Sequence, residues 1–344
     1  MRIGICKNED AERWDCFVAS TAQANCYHQI KWKRLIEESF GLRTIYLLTE
    51  DNEHRITGIL PLVHLRSVVF GNFMVSMPYF NYGGVCATDE ASRSLLLEEA
   101  TRIAKRESVD HIEFRDTRLL ENGLQRKESK VSMRLPLHGS SDELWKSIGS
   151  KLRSQVNRPI KEGMYSKIGK EDELDNFYEV FSRNMRDLGT PVYSKNFFRN
   201  ILRTFSESSW ICTVFTKEKK AVASGFLIGF KGTLEIPWAS SLRSQNKYSP
   251  NMLLYWNAIK FGCDTGYKEF DFGRSTPDEG TYRFKEQWGA RPHPLYWYYW
   301  TKNGGPIPEL NPKNPKYRAA INVWKRLPVG ITRMIGPSIV KNLP

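Results

Sequence analysis

The chain has 344 residues, 40% of them hydrophobic, and a formal net charge of +13. That length and apolar content suffice for two domains of ordinary size with buried cores, and no low-complexity tract points to disorder. No stretch approaches the roughly 18 consecutive apolar residues of a membrane-spanning helix, and the opening MRIGICKNEDAERW meets Glu9, Asp10 and Glu12 too early for a secretory signal, so a soluble, cytoplasmic protein is expected.

In chain order, EDAERWDCFVAS and HQIKWKRLIEESF carry apolar residues at helical spacing. RTIYLLT (Arg43 to Thr49) and RITGILPLVHLRS (Arg55 to Ser67) flank the polar turn EDNEH, a hairpin signal. The strand FMVSMPY, the helix ASRSLLLEEATRIAKRES and the short strand DHIEFRD follow. Pro136 and the polar HGSSD mark a boundary, after which Ser141 with Asp142 and Glu143 opens a helix running to Gly163. Its apolar stripe is Leu144, Ile148, Leu152 and Val156. Two more helices, EDELDNFYEVFSRNMRDL and SKNFFRNILRTF, lead into a second hairpin, WICTVFT and AVASGFLIGF around KEKK. The strand TLEIPWASS, the helix PNMLLYWNAIKFGCDTG and the strand YKEFDFG complete the series. Gly58 thus corresponds to Gly225 and Ile112 to Phe270, so the chain holds two copies of one mixed α/β unit. The predicted division is 1–140, 141–300 and a basic tail, 301–344.

Dispersal of the cysteines (Cys6, Cys16, Cys26, Cys86, Cys212, Cys263) without a C-x-x-C pair argues against a disulfide framework or a zinc site. No histidines form an H-x-x-x-H pair, so no metal is expected. Beyond Thr301, eight cations face the single acid Glu309, a net +7, which suits a polyanionic partner without choosing among nucleic acid, anionic membrane and phosphorylated substrate.

Helices, antiparallel hairpin, strand, helix, strand is the order of the GNAT acyltransferase fold. Two copies in tandem, carrying LVHLRSVVFGNFMVSMPYFNYGGV, FYEVFSRNMRDLGTPVYSKNFF, EIPWASSLRSQNKYSPNMLLYW and FDFGRSTPDEGTYRFKEQWGARPHPLYW, resemble the FemAB-type peptidoglycan aminoacyltransferases. The resemblance is closer to the FemAB-related proteins that accompany exosortase/PEP-CTERM and exopolysaccharide gene sets. It implies an α/β (α+β) fold of two tandem GNAT-like domains, each a mixed, mainly antiparallel sheet flanked by helices. It also implies transfer of an acyl or aminoacyl group to an amine of a cell-envelope precursor. The implied partners are an aminoacyl-tRNA or acyl-thioester donor and a nucleotide- or lipid-linked acceptor, with no cofactor. A CoA- or acyl-carrier-dependent enzyme acting on an exopolysaccharide amino sugar, and a non-catalytic scaffold, stand as alternatives.

Residue by residue, the resemblance places Lys285, between Phe284 and Trp288, at the donor cleft as a cationic clamp for phosphate or a tRNA end, although a surface lysine lying along apolar neighbours explains the same letters. Arg274 and Ser275 end the preceding strand, Tyr282 returns from the excursion loop between them, and Asp271 is a catalytic candidate better suited to orienting Arg274 or capping the strand. Trp238, Ser240, Arg243 and Asn251, with Asn246 and Lys247, line the loop where the GNAT fold holds its acyl donor. That loop lacks glycine, and the matching NYGGVCATDEAS places Asp89 and Glu90 at a helix start, so the glycine-rich pyrophosphate cradle is missing from both and CoA is disfavoured. Lys31 and Trp32 resemble an acceptor-holding segment, an amphipathic helix surface being the alternative. Arg186 and Tyr193, and more weakly Arg183, lie where the family places a phosphate grip. No Ser/His/Asp or Cys/His pattern indicates a covalent acyl-enzyme, and His293 between two prolines reads as a turn residue.

In the tail, PKYRAAINVWKRL places Tyr317, Ala320, Ile321 and Trp324 on one helical face among basic residues. Two shorter apolar pieces, VGITRMI and SIV, follow, separated by Gly336 and Pro337. The tail is expected either to pack on the protein or to touch an anionic membrane peripherally.

Overall fold

The structure, a computed structural model, describes residues 1–137, 139–308 and 315–344, with side chains for all of these except 315–317. The first elements in chain order are β1 (Arg2–Ile5), α1 (Ala11–Ser20), α2 (Lys31–Phe40), β2 (Arg43–Glu50), β3 (Ile56–Ser67), β4 (Gly71–Val75), β5 (Cys86–Ala87), α3 (Glu90–Arg106), β6 (His111–Asp116) and β7 (Gln125–Pro136). There follow α4 (Ser141–Ser147), α5 (Ser150–Lys161), β8 (Tyr165–Gly169), α6 (Leu174–Leu188), α7 (Lys195–Thr204), β9 (Ser209–Phe215), β10 (Ala221–Phe230), β11 (Thr233–Ser241) and α8 (Pro250–Asp264). The last are β12 (Glu269–Ser275), α9 (Gly280–Glu286), β13 (Arg291–Thr301), α10 (Pro315–Trp324) and α11 (Val329–Val340).

Two compact units result: Met1–Val131 with His293–Leu310 and Lys341–Pro344, and Ser132–Pro292 with Asn311–Val340. The division differs from the predicted 1–140, 141–300 and 301–344. β13 pairs antiparallel with β6, Tyr296 opposite Asp116 through Thr301 opposite His111, which draws the aromatic strand after Pro292 into the first unit. Of the tail, treated as a separate piece in the sequence, α10 and α11 fall with the second unit and Lys341–Pro344 with the first.

In the first unit β2 and β3 form the antiparallel pair, β1 lies on the outer edge of β2, and β4 follows β3 before pairing parallel with β6 over Phe73–Val75 and His111–Glu113. Residues of β2 and β3 are buried in continuous runs because helices cover both faces, α3 on one and α1 and α2 on the other. Leu96, Ala100 and Ile103 of α3 meet Leu47, Leu60, Leu62 and Ile112 in the core. Gly58 permits that approach, since a Cβ there would lie 2.8 Å from Thr49 Oγ1 and 2.9 Å from Leu96 Cδ1.

The second unit repeats the plan. β9, β10 and β11 are antiparallel neighbours, β8 edges β9, and β11 pairs parallel with β12. Helix α6 packs on β10 and β11, and α8 on β9 and β10, with α4 and α5 against α8. The helix expected from 142 to 163 is broken at Ile148 and Gly149 into α4 and α5. Its cap is Ser140 rather than Ser141: the Glu143 amide donates to Ser140 Oγ at 3.3 Å while the Ser140 amide donates to the Glu143 carboxylate at 3.0 Å. The excursion loop before Trp288 contains a helix, α9, and the two apolar pieces of the tail are one helix, α11, that continues through Gly336 and Pro337.

Candidate active site at the strand ends of the second unit

Parallel pairing of β11 with β12 covers only Thr233–Glu235 and Glu269–Asp271 among the described residues. Beyond it the strands run on to Ser241 and Ser275 without pairing to each other among the described residues, so they part. The β10/β11 register slips between Phe226 and Ile228, opposite Ile236 and Pro237, placing a bulge where the strands separate. Pro237, having no N–H, requires no ladder partner there.

On the β12 side, strand geometry breaks at Gly273, whose φ of 72° is left-handed. The fully buried Asp271 supports this break, accepting the Gly273 amide at 2.7 Å and Ser132 Oγ at 2.6 Å through Oδ1, with Arg134 Nε 3.3 Å from Oδ2. Neighbouring carbonyls of a regular strand point to opposite sides. Here those of Gly273 and Arg274 both accept from Lys285 Nζ, each at 2.9 Å. Helix α9 delivers that lysine inward, leaving it 7% exposed. Burial depresses its amine to about 8, a shift that Asp271 opposes, Arg274 reinforces and Glu235 opposes. The third N–H of the ammonium has no partner among the described residues, and neither has the buried Ser275 Oγ. Arg274 is exposed and Tyr282 half-buried on α9. Lys285 is therefore not the surface lysine of the alternative reading, because α9 turns it under the strand end onto two backbone carbonyls.

On the β11 side, Trp238 is buried in an aromatic cluster, edge-on to Tyr193 (6.0 Å), Phe197 (5.8 Å) and Phe198 (5.1 Å). Ser240 accepts from Asn184 Nδ2 at 3.0 Å, which ties β11 to α6, and Tyr178 Oη donates to the Tyr193 carbonyl at 3.1 Å. Arg186 faces elsewhere: its Nε pairs with Asp187 at 2.7 Å and its Nη1 donates to the Leu327 carbonyl at 3.1 Å, so it holds the tail instead of presenting a phosphate grip. Arg183 pairs with Glu179 on the surface of α6.

Helix α8 begins with Pro250 at its first position and no side-chain cap on its free N–H groups, Ser249 before it being left-handed. Exposed Arg243, Asn246 and Lys247 stand in the turn just ahead, and half-buried Asn251 in the first turn. Positive dipole and cations together favour an anion. The corresponding end of α3 is closed by the chain itself: Asp89 Oδ1 accepts the Ser92 amide at 2.8 Å, and these bonds hold the Asp89 carboxyl below the usual range.

The two acceptor-site candidates of the first unit separate. Lys31 is exposed on α2, whereas Trp32 is wholly buried, its Nε1 donating to the Cys26 carbonyl at 2.9 Å and its ring edge-on to Phe80 at 4.6 Å. Trp32 is a core residue, and its expected substrate contact gives way to packing. Where β4 and β6 part, Arg115 fills the space: it donates to Glu113 at 2.6 Å and to the Phe80 carbonyl at 2.5 Å, lies 4.4 Å from the Trp297 ring, and Tyr299 Oη completes the set by donating to Glu113 at 2.8 Å.

Sequence reasoning missed Glu235, Ser132 and Arg134, which surround Asp271 and Lys285. Glu235 was legible as the one acid inside the apolar strand TLEIPW, a residue type seldom buried without a task. Ser132 and Arg134 sit on β7, where polar letters conceal the strand.

Residues 150–286 match the model of the Acetyltransferase (GNAT) domain. No curated protein matches the chain by sequence. Among solved structures, FemX aligns with a TM-score of 0.65 at 15% identity, over 87% of this chain and 97% of its own. L-PGS from Bacillus licheniformis aligns at 0.58 and 13%, over 95% and 97%, and a tandem GNAT protein from the clavulanic acid biosynthesis pathway at 0.58 and 10%, over 89% and 99%. At these identities the likeness is one of fold. Residues 150–286 thus carry an acyltransferase-type GNAT domain, and the two repeated units share the fold of tandem GNAT proteins.

Proposed function

We propose that the chain transfers an aminoacyl or acyl group to an amine of a cell-envelope precursor, peptidoglycan- or exopolysaccharide-related, using the strand ends of the second unit. The observation that carries this reading is Lys285, a buried amine held by two carbonyls where β11 and β12 separate, with a depressed proton affinity and one N–H left for a ligand. The fold shared with FemX and L-PGS is in keeping with this reading. In the reaction the acceptor nitrogen attacks the ester carbonyl carbon, a C–N bond forms, the C–O bond breaks, and the proton lost by the amine balances the one gained by the leaving oxygen. Lys285 donates its hydrogen bond to the oxygen that gathers charge, and an amine titrating near 8 suits it to proton exchange at neutral pH. Asp271 positions it through the Gly273 turn.

A specific observation favours a second reading, acyl transfer from a CoA or carrier thioester: the uncapped start of α8 flanked by Arg243 and Lys247 suits a pyrophosphate. The test is label transfer. Purified protein is given an amine-bearing nucleotide-linked precursor with aminoacyl-tRNA or, separately, acetyl-CoA, and products are read by mass spectrometry with Lys285→Met as control. Lysine-dependent transfer from tRNA is expected. Transfer from CoA alone selects the second reading, and no transfer from either donor overturns both.

A further inference from the structure

The C-terminal helices present a face that the transfer chemistry does not use. Arg333 ties α11 to α6, its Nε donating to Ser182 Oγ at 2.8 Å and its guanidinium pairing with Glu179. Gly336 sits so close to Val192 that a Cβ would lie 2.9 Å from its amide nitrogen. Helix α10 rests on the end of α6, where Gly189 ends that helix in the left-handed conformation and a Cβ would come within 2.5 Å of Ile321 Cγ2. Trp324 is turned inward.

This seating decides what faces out. Val323 is 62% exposed, Ile331 40% and Met334 73%, and Leu188, at the end of α6, 48%. On α11, exposed Gly330, Ile331, Met334 and Ser338 recur at helical spacing and carry no charge. Arg318 on α10 and Lys325 and Arg326 just after it are exposed as well, and residues 315–340 contain no Asp or Glu.

We propose that this face lies on an anionic lipid surface, with Val323, Ile331 and Met334 entering the headgroup boundary and Arg318, Lys325 and Arg326 meeting the charge. At about 18 Å long, α11 is too short to cross a bilayer, but it suffices to lie flat on one. Cations without acids match a surface of uniform negative charge. A protein partner is the poorer fit, since interface centres are built on aromatic anchors and the tryptophan here points into the protein. The expected face, centred on Trp324, is thus replaced by one that leaves the tryptophan inside; Tyr317, also expected there, falls outside the described side chains.

The inference is independent of which donor is used, and its test needs no activity. The full chain is sedimented with vesicles of phosphatidylcholine alone and with about 30% phosphatidylglycerol. Binding is expected only to the anionic vesicles, weakening about fivefold for each of Lys325→Gln and Arg326→Gln and about tenfold for Met334→Asp. Because these side chains are exposed, melting curves should stay unchanged. Absent binding at low salt, equal binding by the variants, or equal binding to neutral vesicles overturns the proposal. So does a dimer that Met334→Asp disperses while vesicles remain unbound, which would make the face a protein contact.

Discussion

Replacing Lys285 by methionine tests the state of the buried amine. Burial lowers it from 10.5 to about 8, so holding the charged form inside costs about 3 kcal/mol at neutral pH. Because the folded-state value is the depressed one, the unfolded chain binds the extra proton between pH 8 and 10.5. Stability therefore rises with pH across that window. Between pH 8 and pH 10 the rise amounts to about 2 kcal/mol. Methionine keeps the length and removes the charge, but it also removes the hydrogen bonds to the Gly273 and Arg274 carbonyls, at about 1–3 kcal/mol in all. The two effects oppose each other at pH 7, so the diagnostic quantity is how the difference between wild type and variant changes with pH. Urea unfolding of both proteins from pH 7 to pH 10 measures it, and subtraction cancels the other titrating groups. Wild type should gain on the variant by about 2 kcal/mol between pH 8 and pH 10. A difference that stays flat would refute the claim that burial perturbs this lysine.

Asp271→Asn should destabilise the second unit by about 2–4 kcal/mol, because a buried acceptor shared by Ser132, Gly273 and Arg134 loses its charge; it should also shift the basic limb of any pH–rate profile downward, since Asp271 raises the proton affinity of Lys285. An unmoved limb would separate the two residues. Gly189→Ala should cost about 2–4 kcal/mol, from the left-handed backbone and the 2.5 Å approach of Ile321. Faster proteolysis between α10 and α11 is the accompanying sign, and a variant as resistant as wild type would show that the tail is held by other contacts.

The repeat was legible because its apolar strands and helices are long: β2, β3, β10, β11 and α8 fall within a residue or two of the segments read from RTIYLLT, RITGILPLVHLRS, AVASGFLIGF, TLEIPWASS and PNMLLYWNAIKFGCDTG. Strand β7 was not, because QRKESK carries no apolar alternation, and β13 was hidden by Pro292 and Pro294 at its start. Helix α9 escaped because seven residues provide too short a period, yet it decides the fate of Lys285. At the site, residue type was readable and burial was not. Lysine between two aromatic residues looks the same in sequence whether its amine reaches water or two carbonyls, and a tryptophan between two lysines looks the same on a surface as in a core.

Each unit answers the parting of its strands with a cation that grips backbone carbonyls, Arg115 in the first and Lys285 in the second. The chemistry of the two bolts differs. A guanidinium presents a planar fork of five N–H donors, and in the first unit it fills the opening between a carboxylate and a carbonyl. The amine of the second can give its proton up near pH 8. The repeated plan thus fills one opening with a guanidinium and the other with an amine whose hold on the strand end a proton can change.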